Sequence, residues 1–193
     1  MPRPSLADTR RPQLLEAYAR SLLKHGSEGA TLDRIAVEAG VTRGLVRHYL
    51  GNRADVDRAL LDHIRRRYVD GLRALGEGSS PSEGLSTTLD IVFGGSTNDP
   101  TARLVDTLLG ASADDPVLRD GLRFIYLELE DLLDAKLLAA YPRARPKVRR
   151  RVAYGIVCLA GMNESLADLG FPTDRSDAAR ACARSLVASL GST

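Results

Sequence analysis

Arg43, Gly44, Leu45, Arg47 and His48 crowd five chemically useful positions into six residues. A guanidinium donates two parallel hydrogen bonds to guanine or to a phosphate, and imidazole donates or accepts at a base edge. A leucine packs on a thymine methyl, and a glycine lets backbone come close to a ligand. The chemistry open to this set is recognition of double-stranded nucleic acid. Such side chains need a rigid element to hold them, and the surrounding sequence, TLDRIAVEAGVTRGLVRHYLGNR from Thr31 to Arg53, supplies one. Leu32, Ile35, Ala36 and Ala39 fall at i, i+3, i+4 and i+7, the apolar face of a short helix. Thr31 is placed to cap its start, and Gly40 to end it in the left-handed conformation. Val41 is the apolar plug of the turn, and Thr42 caps a second helix. Val46, Tyr49 and Leu50 point back to the first, which turns Arg43, Gly44, Leu45, Arg47 and His48 outward. Two helices around a tight turn, the second offering basic side chains, are a helix-turn-helix built for a DNA major groove.

The run IAVEAGVTRGLVRHYLGNRADV resembles the DNA-binding segment of the TetR family of transcriptional regulators. Ile35, Ala36, Ala39, Gly40, Val41, Thr42 and Gly44 match the family's wording without a gap. Arg53 stands for its usual Lys and Val56 for its usual Leu. Arg47 departs from a Tyr that often contacts phosphate, Tyr49 from a His, and Leu50 from a Phe. The resemblance covers Arg10 to about Leu75. It implies an all-α fold of about nine helices: a three-helix DNA-binding head at 10–55 with a linking helix at 53–75, then a helical ligand-binding and dimerisation body at 76–193.

On that footing, Thr31, Arg47, Tyr49, Arg53 and the first-turn N–H groups capped by Thr42 are expected on phosphates. Arg43, Leu45 and His48 are expected at base edges. Gly44 disfavours a helix by roughly 1 kcal/mol relative to Ala. That is consistent with a backbone that must come close to DNA or to the preceding helix. The implied activity is that of a ligand-responsive repressor on a palindromic operator, with a small-molecule effector and no cofactor. A second reading is an all-α ligand-binding or enzymatic protein whose head has lost operator binding; Leu50 and Arg47, the departures, favour it.

The 193-residue chain is 44% hydrophobic and carries a net charge of only +2. The charge is unevenly spread. Met1 to Leu75 holds fourteen Lys and Arg against nine Asp and Glu, whereas the remainder holds thirteen against sixteen. The basic excess coincides with the proposed head. No secretion leader is apparent and no apolar run is long enough to span a bilayer, so a cytoplasmic protein is expected. Cys158 and Cys182, in apolar helical settings, are expected to be buried free thiols. The three histidines and two cysteines have no metal-ligand spacing, and no nucleotide loop or nucleophile elbow occurs, so no enzyme is expected.

Outside the head, a first helix is expected from Pro12 to about His25, with Met1 to Thr9 disordered and Arg10 and Arg11 ahead of it. One long helix should run from Arg53 to Leu75, and GEGSSPSE breaks the chain at 76–83. A short helix is then expected at Leu85–Phe93 and another from Pro100. Ala113-Asp114-Asp115 before Pro116 should cap the start of the strongest amphipathic helix, striped by Leu118, Leu122, Ile125, Leu129, Leu132, Leu133 and Leu137. The final two helices carry Gly155 and Leu159 on one face and Ala178, Ala181, Cys182 and Ser185 on the other. These are the expected homodimer interface, because the resembling family pairs through its last two helices. Tyr126, flanking the long stripe, is the candidate lining residue of an effector pocket.

Overall fold

The computed structural model describes residues 6–75, 78–94, 100–168, 170 and 174–192. Its regular elements are all helical. In chain order they are α1 Leu6–Gly29, α2 Leu32–Ala39, α3 Arg43–Leu50, α4 Arg53–Arg65, a π turn at Arg66–Asp70, α5 Gly71–Ala74, α6 Pro81–Gly94, α7 Pro100–Ala111, α8 Pro116–Ala140, α9 Pro146–Asp168, α10 Asp174–Ala188 and a final 3₁₀ turn at Ser189–Ser192. The chain divides into two compact units. The first comprises Met1–Arg65 with Leu104–Leu122, and the second Arg66–Arg103 with Arg123–Thr193. Among the described residues no helix is long and apolar enough to cross a membrane.

Several boundaries differ from the sequence-based expectation. α1 begins at Leu6, so Arg10 and Arg11 lie on its first turns with Pro12 inside the helix. The expected disorder of residues 1–5 lies outside the described residues. Gly26 does break the helix, at φ 69° and ψ 178°, but a last turn resumes as far as Gly29. The helix expected from Arg53 to Leu75 changes winding at Arg66–Asp70. A π turn adds a residue to the repeat. It buries Val69, five positions after Ile64, and leaves Tyr68 half-buried where α spacing would have placed it inside. α6 starts four residues early because Ser80 and Glu83 form a reciprocal cap. The Ser80 hydroxyl accepts from the Glu83 N–H at 3.4 Å, and the Ser80 N–H donates to the Glu83 carboxylate at 3.0 Å. At the start of α8, Asp115 accepts from the N–H groups of Val117 and Leu118 at 2.8 and 3.2 Å, as its place before Pro116 implied.

In the first unit the core is Leu14, Leu15, Tyr18, Leu22, Ile35, Val46, Leu50, Val56, Leu60 and Ile64, together with Leu104, Leu108, Leu118 and Leu122. Gly121 lets α8 meet α4 closely, since a Cβ there would overlap the side chain of Leu61. Among the described residues of this unit, the carboxylate of Asp57 is buried, at 1% exposure. A buried charge is tolerated only when paired and hydrogen-bonded. The Tyr18 hydroxyl donates to Asp57 Oδ1, and Arg53 Nε donates to both carboxylate oxygens at 3.2 and 3.0 Å. The same guanidinium reaches past the break in α1. Its Nη1 donates to the Ala30 carbonyl at 2.7 Å, and its Nη2 to the Ser27 carbonyl at 3.2 Å. Its plane lies 5.2 Å from the Tyr18 ring centre. Burial first, then the charge and hydrogen bond of Asp57, push the Tyr18 hydroxyl above its ordinary range, so it remains a neutral donor.

In the second unit the core includes Leu85, Leu89, Phe93, Ile125, Leu132, Leu133, Leu137, Val152, Ile156, Ala183 and Val187. Leu129, expected in the same stripe, is half-buried. Arg149 is the buried cation here. It pairs with Asp134 through two bonds of 2.6 and 3.1 Å, joining α9 to α8. α10 is held to α6 by Arg184, which donates to Asp90 at 2.7 Å.

Asp57→Ala would strand the Arg53 guanidinium and the Tyr18 hydroxyl together. Loss of one member of a buried pair destabilises by about 3–5 kcal/mol, and the partial exposure of Arg53 puts this case at the lower end, about 3 kcal/mol. Urea unfolding followed by circular dichroism checks this. A midpoint equal to that of the wild type would refute the role given to Asp57.

Candidate nucleic-acid interface

The turn between α2 and α3 is built by local chemistry. Thr31 and Thr42 stand in extended conformation just ahead of the two helices. Their hydroxyls accept from the N–H groups of Arg34 at 3.4 Å and Leu45 at 3.3 Å. Each therefore satisfies one of the N–H groups that a first turn leaves open. Gly40 sits at φ 65° and ψ 35°, and the Val41 N–H donates to the Ala36 carbonyl at 2.9 Å. Only glycine takes that conformation without strain. Ile35 and Ala36 on α2 and Val46 and Leu50 on α3 are buried, which fixes the roll of both helices.

That roll decides what faces outward. Arg43, Gly44, Arg47 and His48 are exposed, and Leu45 and Tyr49 are half-buried. Tyr49, expected to point to α2, thus keeps an accessible edge, and its ring meets that of His48 edge-on at 5.0 Å. Arg43 Nη1 donates to Asp33 Oδ2 on α2 at 3.1 Å. A Cβ on Gly44 would meet nothing but the Thr42 hydroxyl, at 3.9 Å. Close approach to the preceding helix therefore does not explain this glycine. Arg53 differs most from its expected place. It was to lie on a phosphate, but its guanidinium turns inward to Asp57, Ala30 and Ser27. Neither Tyr18 nor Asp57 is singled out by sequence reasoning. An acidic residue within an apolar helical stripe, four positions after an arginine, was the available signal.

On the surface between α1 and α2, Glu38 accepts from Arg20 at 2.9 Å and from Lys24 at 2.8 Å. The hydrogen bonds from Lys24 and then Arg20 hold its carboxyl below the ordinary range. This exposed charge cluster thus ties α2, the first helix of the turn, to α1.

In the second unit, α9 and α10 run side by side, with Asn163 Nδ2 donating to the Ser176 hydroxyl at 3.2 Å. Gly155 faces its own chain, since a Cβ there would lie 3.3 Å from Leu186 on α10. Leu159 is half-buried, and Ala178, Ala181, Cys182 and Ser185 are exposed. Exposed Tyr154 and Met162 extend this outward surface on α9. Both cysteines are free and exposed, which corrects the expectation that they are buried. Their helical stripe is apolar, but within one chain it faces outward. Tyr126 is half-buried. It does not line the shallow cleft of about 230 Å³ between α6 and α10, which is walled by Leu85, Leu89, Tyr141, Arg184 and Val187.

Two substitutions separate the roles on α3. Gly44→Ala places a methyl group in open space on a helix, so it should stabilise the free protein by about 0.5–1 kcal/mol. It should also weaken DNA binding if the backbone there approaches DNA; equal affinity with higher stability would remove Gly44 from the interface. Arg47→Ala should weaken binding to all sequences alike and reduce the slope of log K against log salt by about 1. Binding curves at several salt concentrations, on selected and scrambled DNA, read both effects. An unchanged slope with altered sequence preference would reverse the role of Arg47.

Comparison with known proteins agrees with the geometry. The chain is 36% identical over 97 residues to the HTH-type transcriptional regulator BetI of Agrobacterium fabrum, covering 48% of this chain and 46% of that protein. It is 31% identical over 97 residues to BetI of Brucella anthropi, covering 50% of each. The matched part spans about half the length of these curated relatives. No protein-family model matches. Among solved structures, a TetR transcription regulator from Haloarcula marismortui superposes with a TM-score of 0.80 at 18% identity, over 94% of this chain and 98% of that one. The reduced form of Escherichia coli NemR does so with a TM-score of 0.80 at 16% identity, over 92% and 97%. The chain thus has the TetR-family fold, and over about half its length it is similar in sequence to HTH-type transcriptional regulators.

Proposed function

We propose that this protein is a transcriptional regulator that binds a palindromic operator as a homodimer, and that it acts in the cytoplasm as a ligand-responsive repressor. One observation carries the reading. α3 is locked by a capped turn and a buried inner face, and it presents Arg43, Gly44, Arg47 and His48 outward. A helix held that way, with phosphate donors beside base-reading side chains, is a groove reader. Binding rather than catalysis is the function that this surface supports. The phosphate set is Thr31, Arg47, Tyr49 and the N–H groups at the start of α3; Arg53 is better described as the brace behind them.

A palindrome requires two such helices about one DNA turn apart, roughly 34–36 Å. The exposed face of α9 and α10, with Tyr154, Met162, Ala178, Ala181 and Cys182, is the surface offered for a second copy. An effector would act by binding one spacing of the two heads better than another. Enrichment of bound sequences from a random DNA pool tests the reading, and a two-fold symmetric consensus is the expected result. Ala181→Glu should bury a charge in the subunit interface and yield monomers by light scattering at micromolar concentration. A wild type that is itself monomeric would overturn the assembly.

A further inference from the structure

Arg43 is paired across the turn with a carboxylate of α2. Its Nη1 donates to Asp33 Oδ2 at 3.1 Å, with both side chains about 60% exposed. Asp33 lies in the first turn of α2, and Arg43 is the first residue of α3. An exposed ion pair of this kind contributes little to folding. A carboxylate on this face also opposes phosphate binding, because it adds negative charge where the partner is a polyanion. The place of Asp33 in the first turn of α2 favours that helix end, but that effect does not require the pairing with Arg43 across the turn.

We propose that Asp33 is a positioning residue for base recognition, holding Arg43 in the orientation that reads guanine. The inference rests on the DNA-binding reading above. A guanidinium has five donors in a fixed plane. With one of them on Asp33, the edge formed by Nε and Nη2 is left for guanine N7 and O6, the acceptor pair that a bidentate arginine fits. The carboxylate anchors one arm of the fork before contact, which lowers the ordering loss on binding. Its negative charge opposes phosphate on every sequence, and only where Arg43 meets an acceptor pair does the gain from the fixed orientation offset that repulsion. One residue thus raises preference for the right base and lowers affinity for wrong DNA.

The test takes the full-length protein and the sequence that the wild type enriches from a random pool. Asp33→Asn should raise affinity for scrambled DNA and cut the ratio of selected to scrambled affinity about fivefold to tenfold. The loss should centre on one guanine position in a base-substitution series. In an Arg43→Ala background the same change should leave the ratio as it was. If Asp33→Asn strengthens binding to both DNAs equally, Asp33 only repels phosphate and the inference is overturned. It is equally overturned if the ratio falls by the same factor without Arg43. A wild type that enriches no sequence overturns the DNA-binding reading itself, whereas an enriched consensus with an unmoved ratio leaves that reading standing and removes only the role of Asp33.

Discussion

The first unit depends on one buried carboxylate. Asp57 cannot sit at 1% exposure without two donors, and it takes them from Tyr18 on α1 and from Arg53 one turn earlier on α4. Arg53 then has donors left over, and the break at Gly26 has left carbonyls at Ser27 and Ala30 that need them. A single guanidinium thereby fixes the start of α4 against the end of α1, from which α2 and α3 follow. The buried faces of α2 and α3 then set which side of α3 turns outward. At the joint of α1 and α4 the paired charge adds directional bonds that apolar contact alone does not supply.

The sequence was most legible where structure is local. Thr31, Gly40 and Thr42 are found in the cap and turn conformations their side chains favour, because each acts within four residues of itself. The apolar faces of α2 and α3 followed from periodicity for the same reason. It was least legible where one residue serves a distant partner. Arg53 stands where resembling sequences usually have Lys, and nothing in its neighbourhood announces carbonyls more than twenty residues earlier. The Ser80–Glu83 cap was legible as S-x-x-E, but it was hidden by the Gly, Ser and Pro around it. The winding change at Arg66–Asp70 has no such local mark.

The final helices show how a shared composition can serve opposite ends. Gly155 is small because Leu186 of the same chain lies against it, whereas Ala178 and Ala181 are small on a surface open to solvent. Periodicity groups all of them as close-packing positions and cannot say whose partner is meant. The same ambiguity led the two thiols to be counted as core. Their exposure follows from which side of α9 and α10 the rest of the second unit covers.

The first unit is not contiguous in the chain. Leu104, Leu108, Leu118 and Leu122 complete the core that begins at Leu14. The recognition module is therefore not a detachable cassette. A chimaera that joins residues 1–65 to a foreign body inherits a surface shaped for four leucines it no longer has. Drift in the segment 104–122 is likewise constrained by α1 and α4, whatever freedom the second unit keeps.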